Sequence, residues 1–440
     1  MMLGISQRNN MAYLQQYWSI YVLFTISVLV ETIPTCKYID SRDVEVVCNK
    51  NGDTNYVLKR GLVSDNNRTI SLSLQGCRLS DVDNDSFKNL NSLKYLDLSQ
   101  NQISKVKLDS LDSSKQLIYL NLSHNLFSEL QPGSFDKTPN LDVLDLSGNR
   151  LMLNLGIFDP LTKLRHLDLS NNNLQGKDLD PFLFGHNTQI RYLDLSINDM
   201  NDAPHTLLDA VQVLELLNLE RCLLKEVPKF AIRANLKTMK HLILSTNQIT
   251  DLGDGTTFIN LVNLEKLNIN DNALEQIHGD VFKPLKKLKV IVLRANKIKY
   301  LPDNLFTNMK NLANIDLSNN IIDTVPVNAF RGTSVKNLNL SNNRFTYLTD
   351  NFALELRNSG AKLTKFYFNQ NPWQCACLMA LLSEVKKLEI TYNSLHYDGK
   401  YPICVTTRDV FCKRHDTFNA VFTELYDDIV SAGKSVEEPI

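Results

Sequence analysis

The sequence predicts an α/β solenoid, with a parallel β-sheet on the concave side and irregular or short helical segments on the convex side. The first observation is that the pattern L-x-x-L-x-L-x-x-N/C-x-L matches thirteen times, at spacings of mostly 23 to 26 residues. The second is that an apolar residue, often phenylalanine, recurs about eighteen residues into many copies. One copy has nothing to bury these side chains against, so only stacking on similar neighbours gives the unit a core.

The thirteen copies hold their phase over most of the chain. They begin at Thr69, Leu93, Leu117, Leu141, Leu164, Ile190, Leu214, Met239, Leu264, Leu288, Leu312, Val335 and Leu363. A chain of 440 residues usually forms two or three domains, but this estimate does not apply to a repeated unit, because a solenoid grows by adding copies. The formal net charge of -1 excludes a global field that attracts nucleic acid or anionic membrane, so affinity for either needs a local patch.

The amino terminus carries an apolar run of thirteen residues, from Trp18 to Val30. This run is too short to span a membrane and has the length of a secretory signal core, so residues 1–34 are predicted to be a signal peptide. Cleavage is expected between Val30 and Thr35, and a signal anchor is the alternative. The polar end GKSVEEPI lacks the tail of a lipid-anchor signal. We therefore expect a secreted, extracellular protein without stable membrane insertion.

The ninth position of the copies predicts a ladder of buried amides, because a buried asparagine can bond the backbone where it leaves the strand. The asparagines are Asn101, Asn125, Asn149, Asn172, Asn198, Asn247, Asn272, Asn296, Asn320, Asn343 and Asn371. Cys77 and Cys222 take this position in their copies, and we interpret them as buried thiols rather than as a disulfide.

A second apolar row is predicted on the convex side. It consists of Phe87, Phe135, Phe158, Phe182, Phe258, Phe282, Phe306, Phe330 and Phe352, with Leu111, Leu208 and Ile232 as substitutes. Together, the two rows resemble the extracellular leucine-rich repeat family, of the 24-residue type. The resemblance covers Thr69 to about His415 and implies a horseshoe capped at both ends.

The resemblance divides the chain into the signal, an amino-terminal cysteine cap (35–68), the repeat array (69–370), a carboxy-terminal cysteine cap (371–415) and a tail (416–440). It favours the pairing Cys36 to Cys48. The family also implies pairings in the second cap of Cys375 to Cys404 and of Cys377 to Cys412. Zinc binding by these last four cysteines is the alternative. In the tail, helical spacing of Phe418, Val421, Phe422, Leu425 and Ile429 predicts a short amphipathic helix, packed on the cap, loose, or bound to a partner.

Four N-x-S/T sequons predict glycosylation, at Asn67, Asn84, Asn121 and Asn339. Asn67 and Asn84 lie in turn-like polar segments. The motif L-N-L-S of the repeat generates the other two sequons by itself, so chance is a serious alternative there.

Strand alternation fixes which residues of each copy point into the concave groove. In copies two to six these positions combine aromatic and acidic side chains, which suit a basic, partly apolar partner: Tyr95, Asp97, Tyr119, Asp145, His166, Asp168, Tyr192 and Asp194. In copies seven to ten they include Leu216, Ile243, Val290 and Val292, which suit a partner, a lipid chain or a second copy of the chain. The alternatives are that aspartate is only the preferred solvated residue of the repeat, and that a flanking loop covers the apolar positions.

No nucleophile motif, phosphate loop, H-E-x-x-H pair or calcium loop occurs, so neither an enzyme nor a cofactor is expected. The layout is similar to that of arthropod immune repeat proteins such as leureptin and of Toll-type ectodomains. The first hypothesis is a secreted protein of innate immunity that binds a protein or microbial surface ligand and does not bind nucleic acid. Whether the protein forms a homodimer is left open by the sequence. The second is a matrix or cell-adhesion protein, as in chaoptin, connectin and the small matrix proteoglycans.

Overall fold

The computed structural model describes residues 34–39, 44–60, 67–105, 110–397, 403–406, 410–413 and 420–434. Residues 1–33 of the predicted signal and Phe418 of the predicted tail helix lie outside the described residues. The chain begins with β1 (Thr35–Tyr38), which pairs antiparallel with β2 (Glu45–Asn49). A separate small sheet joins β3 (Tyr56–Leu58) to β5 (Leu79–Val82).

All thirteen repeat strands are present, and each begins two residues after a predicted start. They are β4 (Ser71–Ser73), β6 (Tyr95–Asp97), β7 (Tyr119–Asn121), β8 (Val143–Asp145), β9 (His166–Asp168), β10 (Tyr192–Asp194), β11 (Leu216–Asn218), β12 (His241–Ile243), β13 (Lys266–Asn268), β14 (Val290–Val292), β15 (Asn314–Asp316), β16 (Asn337–Asn339) and β17 (Lys365–Tyr367). They run parallel and in register beside β2 in a 15-stranded sheet. The predicted horseshoe solenoid is therefore confirmed.

The convex side consists mainly of turns, as predicted. Short 3-10 helices occur at Gly176–Asp178, Lys229–Ile232 and Val327–Phe330, and one α-helix, α1, spans Phe352–Asn358. Phenylalanine rings of successive coils stack beneath these segments, with ring centroids 5.9 Å apart between Phe282 and Phe306.

One predicted member of the phenylalanine row is wrong. Phe182 is 70% exposed, and Phe184 is buried in its place, 6.1 Å from the ring of Phe158. The copy that starts at Leu164 is 26 residues long, so its inward-facing position comes two residues later than a fixed offset of eighteen predicts.

The buried asparagines make the predicted bonds to the turns. Asn296 donates from Nδ2 to the carbonyl oxygens of Ile269, Leu293 and Arg294, at 3.0, 3.0 and 3.3 Å. Its Oδ1 accepts a hydrogen bond of 3.1 Å from the backbone N–H of Leu274 on the preceding coil. One side chain thus closes its own turn and ties that turn to its neighbour.

The two ladder cysteines are buried free thiols, as predicted. The Sγ of Cys222 lies 3.3 Å from the carbonyl oxygen of Leu195, where an asparagine amide donates in other copies. Burial raises the pKa of Cys222 to about 12 and that of Cys77 to about 11, so both stay protonated at neutral pH.

Disulfide-bonded caps cover both ends of the array. In the first cap Cys36 and Cys48 face each other across the β1–β2 hairpin and are bonded. In the second cap the bonds join Cys375 to Cys404 and Cys377 to Cys412. These are the three pairings that the family resemblance favours.

The carboxy-terminal cap closes the core with an aromatic side chain and a helix. Trp373 is buried, donates from Nε1 to the carbonyl oxygen of Phe368 at 2.9 Å, and stacks on Phe345. Helix α2 (Cys375–Lys387) follows at once and buries Leu378, Leu381 and Val385. The indole thus covers the apolar end of the solenoid while its own N–H keeps a hydrogen-bond partner.

A further helix, α3 (Ala420–Lys434), lies where the sequence predicts an amphipathic helix. Phe422 is buried, whereas Val421 and Leu425 are exposed. Burial raises the pKa of Tyr426 on this helix to about 12. No helix in the described ranges is both long enough and apolar enough to cross a membrane.

We predict that Asn296→Ala lowers the free energy of unfolding by about 3 kcal/mol, because the backbone groups that Asn296 bonds would lose partners in a dry interior. Cys222→Ala, at the same position of another copy, should lower it by about 1 kcal/mol, because a thiol bonds weakly. Denaturant titration of both variants measures the difference. Equal losses would contradict the role assigned to the amide.

Candidate ligand-binding face

The concave face is built by two outward columns of side chains. In each strand the middle residue is buried, and the residues on either side face the groove. Because the strands pair in register, these residues align from coil to coil: Tyr192 lies beside His166 and Leu216, and Asp194 beside Asp168 and Asn218. All twelve predicted ligand-binding residues lie on this one face.

The aromatic column of copies two to six forms two pairs. The rings of Tyr95 and Tyr119 are 6.4 Å apart, and those of His166 and Tyr192 stack at 4.3 Å. Tyr95 is 44% exposed and Tyr192 is 37% exposed. Burial lowers the pKa of His166, with Asp142 opposing that effect, so the stacked imidazole is neutral at neutral pH. The pairs therefore offer rigid, partly apolar contact area.

The acidic column has a structural task at the end of each strand. The Oδ1 atoms of Asp97, Asp145, Asp168 and Asp194 each accept a hydrogen bond from the backbone N–H of the serine two residues later, at 2.8 to 2.9 Å. Asparagine accepts the same bond elsewhere in the column, Asn121 and Asn339 from a serine N–H and Asn218 from the N–H of Glu220. The turn thus requires a side-chain oxygen acceptor, but it does not require a negative charge.

The carboxylates of copies four to six are crowded. Asp145, Asp168 and Asp194 occupy neighbouring strands, which lie about 4.8 Å apart in a parallel sheet. Burial raises the pKa of Asp168, and the charges of Asp194 and Asp145 raise it further. We call the eight residues Tyr95, Asp97, Tyr119, Asp145, His166, Asp168, Tyr192 and Asp194 the aromatic–acidic strip.

Basic residues flank the strip, but carboxylates outside it hold several of them. Arg165 forms an ion pair with Asp142, and Arg191 with Glu215 at 2.6 Å. A groove of about 680 Å³ runs along this edge and is lined by Lys94, Gln116, Ile118, Asn140, Asp142, Lys163, Arg165 and Gln189. Because Arg165 and Arg191 are already paired, they do not neutralise the carboxylates of the strip.

The apolar positions of copies seven to ten lie in the same columns. Leu216, Ile243, Val290 and Val292 are all half-buried. They are thus less accessible than Tyr95 and Tyr192. Their proposed role in ligand binding stays a prediction.

Sequence reasoning missed a column of residues with left-handed backbone that borders the groove. The eighth position of each copy has a φ of about +50° to +65°. Asn171, Asn319 and Asn342 suit this conformation, whereas Ile197 (φ 56°) is β-branched and 45% exposed. Leu223 lies outside this column, two residues after its member Arg221 on the next coil, and it also has positive φ and is 47% exposed. The fixed offset from each strand is the sequence signal that marks this column.

The predicted glycosylation sites differ in their surroundings. Asn67 and Asn84 are exposed, whereas Asn121 and Asn339 are half-buried on the concave face and accept hydrogen bonds in their turns. Modification of all four stays a prediction. Among the residues whose placement is described, no group of three or more histidine, cysteine or acidic side chains is arranged to hold a metal ion.

Comparison with known proteins identifies the repeat. The profile of the family described as leucine rich repeat matches residues 69–127, 109–151, 119–174, 237–298 and 286–345, which together cover just under half of the chain. The chain is 33% identical to human leucine-rich repeat-containing protein 66 over 150 residues, which is 30% of this chain and 16% of that protein. It is 34% identical to mouse podocan-like protein 1 over 116 residues, which is 26% of this chain and 20% of that protein.

Solved structures share the fold at low identity. The mouse RP105/MD-1 complex contains a chain with a TM-score of 0.63 at 22% identity, covering 84% of this chain and 60% of that one. The Toll–Spatzle complex of Drosophila gives a TM-score of 0.56 at 19% identity, covering 80% of this chain and 53% of that one. The chain thus spans little more than half of these neighbours and a fifth or less of the relatives above.

We predict that Asp168→Asn stabilises the protein at neutral pH. The folded state raises the pKa of Asp168 above its ordinary value of 3.8. The free energy of unfolding therefore falls as the pH rises from the unfolded-state pKa to the folded-state pKa, and it stays lower at every higher pH. Asparagine keeps the bond to the N–H of Ser170 and removes the charge. The gain should vanish once the pH falls below the ordinary carboxyl pKa, which denaturant titration at pH about 7 and about 3.5 measures.

A matched control for this prediction is Asp316→Asn. Asp316 accepts the same turn hydrogen bond from Ser318, but its column neighbours are Val292 and Asn339, which carry no charge. An equal gain in both variants would contradict the crowding of Asp168.

Proposed function

We propose that this chain, which has the fold of a leucine-rich repeat solenoid, is a secreted recognition protein which binds a basic, partly apolar protein ligand on the aromatic–acidic strip. The proposal needs no chemistry at the site. It needs a rigid surface with apolar anchors and uncompensated negative charge, facing a ligand of the opposite charge.

The observation that carries the proposal is the run of carboxylates in copies four to six. At the equivalent position of other copies an uncharged asparagine makes the same turn hydrogen bond. Asn121, Asn218 and Asn339 make the same turn bond as Asp145, Asp168 and Asp194 without repelling their neighbours. The turn therefore needs the oxygen acceptors of this run but not their negative charge. A lysine or arginine of a ligand, placed between these carboxylates, would relieve the repulsion and gain charge-assisted hydrogen bonds.

Aromatic anchors beside the carboxylates support a protein ligand rather than a small cation. Tyr192 stacks on His166 on one side of the strip, and the exposed Ile197 borders the same copy on the other. Buried anchor residues, above all tyrosine, tryptophan and arginine, supply most of the affinity of protein interfaces. A fitting ligand segment therefore combines a basic residue with flanking aromatic or aliphatic residues.

Two further observations support an extracellular protein ligand. The three disulfides are typical of an oxidising compartment. The neighbours in fold were solved in complexes, Toll with Spatzle and RP105 with MD-1. We propose a role in innate immunity on this basis, in line with the layout that this chain shares with Toll-type ectodomains.

A second candidate role is that of a matrix or cell-adhesion protein, in line with the layout that the repeat array shares with the small matrix proteoglycans. Transcript measurements after bacterial challenge separate the two roles. Strong induction supports immunity. Unchanged levels after challenge, with steady expression in developing tissue, would replace it with the matrix role.

We predict that Tyr192→Ala lowers ligand affinity by roughly 30-fold, as removal of a central anchor does. The probe is a random-peptide display library selected on the wild-type protein. Enriched peptides should carry lysine or arginine next to aromatic or aliphatic residues, and should bind Tyr192→Ala and Asp194→Asn less tightly.

Tyr300→Ala is the matched control. Tyr300 is 47% exposed but lies outside the concave columns, in an isolated β-bridge with Thr324. Acidic enriched peptides, or equal loss in Tyr192→Ala and Tyr300→Ala, would refute the strip as the binding site.

A further inference from the structure

Lysines from copies eight to thirteen line one edge of the solenoid, where the polypeptide enters the concave strands. Each copy contributes from a five-residue segment around its repeat start: 237–241, 262–266, 286–290, 310–314, 333–337 and 361–365. We call the ten lysines of these segments the lysine edge. All are exposed: Lys237, Lys240, Lys266, Lys286, Lys287, Lys289, Lys310, Lys336, Lys362 and Lys365.

Backbone hydrogen bonds bring these segments side by side. The N–H of Lys289 donates to the carbonyl oxygen of Glu265 at 2.8 Å, and the N–H of Ala313 donates to that of Lys289 at 2.9 Å. The ladder continues with Lys336 donating to Ala313 and Thr364 donating to Lys336.

Side-chain bonds extend the contact outward along the same edge. Asn263 donates from Nδ2 to the carbonyl oxygen of Lys237 at 2.7 Å. Asn311 donates in the same way to Lys286 at 2.8 Å. The lysines therefore follow the edge from coil to coil, at the strand spacing of about 4.8 Å.

The charge of this edge is almost entirely uncompensated. Glu265 is the only acidic residue in the six segments. It pairs with Lys289 at 2.7 Å, and Lys240 pairs with Glu215 at 2.8 Å. In the described part of the chain, no carboxylate lies within ion-pairing distance of the other eight lysines. The protein as a whole has a net charge of -1, so the edge is a local concentration of charge.

The fold does not require lysine at these positions. Equivalent positions in the same six copies are held by Val262, Asn263, Asn311, Ala313 and Thr364. The corresponding segments of copies two to seven mix both signs, with Asp142 and Glu215 among the basic residues. Like charges on neighbouring strands repel each other, so their concentration over six adjacent coils indicates a ligand of opposite charge.

We propose that the lysine edge binds a linear sulfated polysaccharide. A row of cations along about 24 Å of edge, at the spacing of parallel strands, matches an extended chain with anionic groups every few ångströms. Lysine ammonium groups act as point charges towards such oxyanions.

The composition of the edge disfavours two other polyanions. The six segments contain no arginine, phenylalanine, tyrosine or tryptophan, the side chains on which nucleic-acid bases stack. Polar residues, among them Thr238, Asn263, Asn311 and Ser334, separate the lysines, and this spacing lacks the apolar face that a helix inserts into a membrane surface. The edge also lies apart from the aromatic–acidic strip, so this inference does not depend on the proposed function.

The test is the affinity of the full chain for heparin, measured on immobilised heparin at about 0.15 M salt and again over a series of salt concentrations. The variant Lys286→Gln/Lys287→Gln/Lys310→Gln removes three adjacent cations of the edge. Its affinity should fall at least about tenfold, and the slope of log affinity against log salt should become shallower, because fewer counterions are released. A thermal melt checks that the variant stays folded.

The matched control is Lys177→Gln/Lys225→Gln/Lys229→Gln, which makes the same change in net charge at exposed lysines outside the edge. Its affinity for heparin should change less than about twofold. Equal losses in the two triple variants, or no retention of the wild type, would overturn the proposal. Tighter binding to single-stranded DNA, to phosphatidylserine vesicles or to an unsulfated polysaccharide than to heparin would overturn the ligand class.

Discussion

The structure depends on one hydrogen-bonding arrangement, the buried asparagine amide at the turn that ends each strand. The polypeptide must leave the sheet inside a dry interior, where an unpaired backbone group is unfavourable. Asn198 shows how one side chain meets the need: Nδ2 donates to carbonyl oxygens of Leu169, Leu195 and Ser196, and Oδ1 accepts from the N–H of Leu174. Because each amide joins two coils, the whole stack stays in register.

The constant register of the coils determines which residues become neighbours on the surface. Once every coil starts at the same height, a residue type at a given offset becomes a column that runs the length of the groove. The framework positions can then stay constant while the outward positions vary. Tyr192 and Val290 occupy equivalent outward positions, yet one stacks on an imidazole beside carboxylates and the other contributes to a half-buried apolar area. Differences within a column therefore carry information about ligands that the framework residues lack.

The sequence predicted the framework because its rules are local. The periodic leucines fixed all thirteen strands, and the ninth position predicted both the amide ladder and the buried thiols of Cys77 and Cys222. The prediction that Phe182 is buried was wrong because its copy has extra residues, which a fixed offset does not take into account. The left-handed backbone of Ile197 was missed because the residue type does not indicate it. Isoleucine is among the residues least suited to this conformation.

The site was less accessible to sequence reasoning than the fold. Strand alternation placed Asp168 on the concave face. Only the structure shows its turn hydrogen bond from the N–H of Ser170, which requires the oxygen acceptor but not the negative charge. The lysine edge escaped notice because most of its members lie just before the outward columns, and because a net charge near zero conceals two opposite patches. Each patch becomes visible only when residues some 24 apart in sequence are aligned as neighbours.

These two patches lie on different coils of the stack. The crowded carboxylates lie in copies four to six, and Lys286, Lys287 and Lys310 lie near the starts of copies ten and eleven. Four spacings of about 4.8 Å separate Asp194 from Lys286 by roughly 19 Å along the stack, and the lysine edge begins in copy eight, two spacings or about 10 Å from Asp194. Ionic screening at physiological salt acts over about 8 Å, so it weakens the attraction between the carboxylates and the lysines of copies ten to thirteen. A chain of almost zero net charge thus carries a cluster of carboxylates in copies four to six and a row of lysines in copies eight to thirteen, and the two proposed ligands, a basic protein and an acidic polymer, would contact different coils.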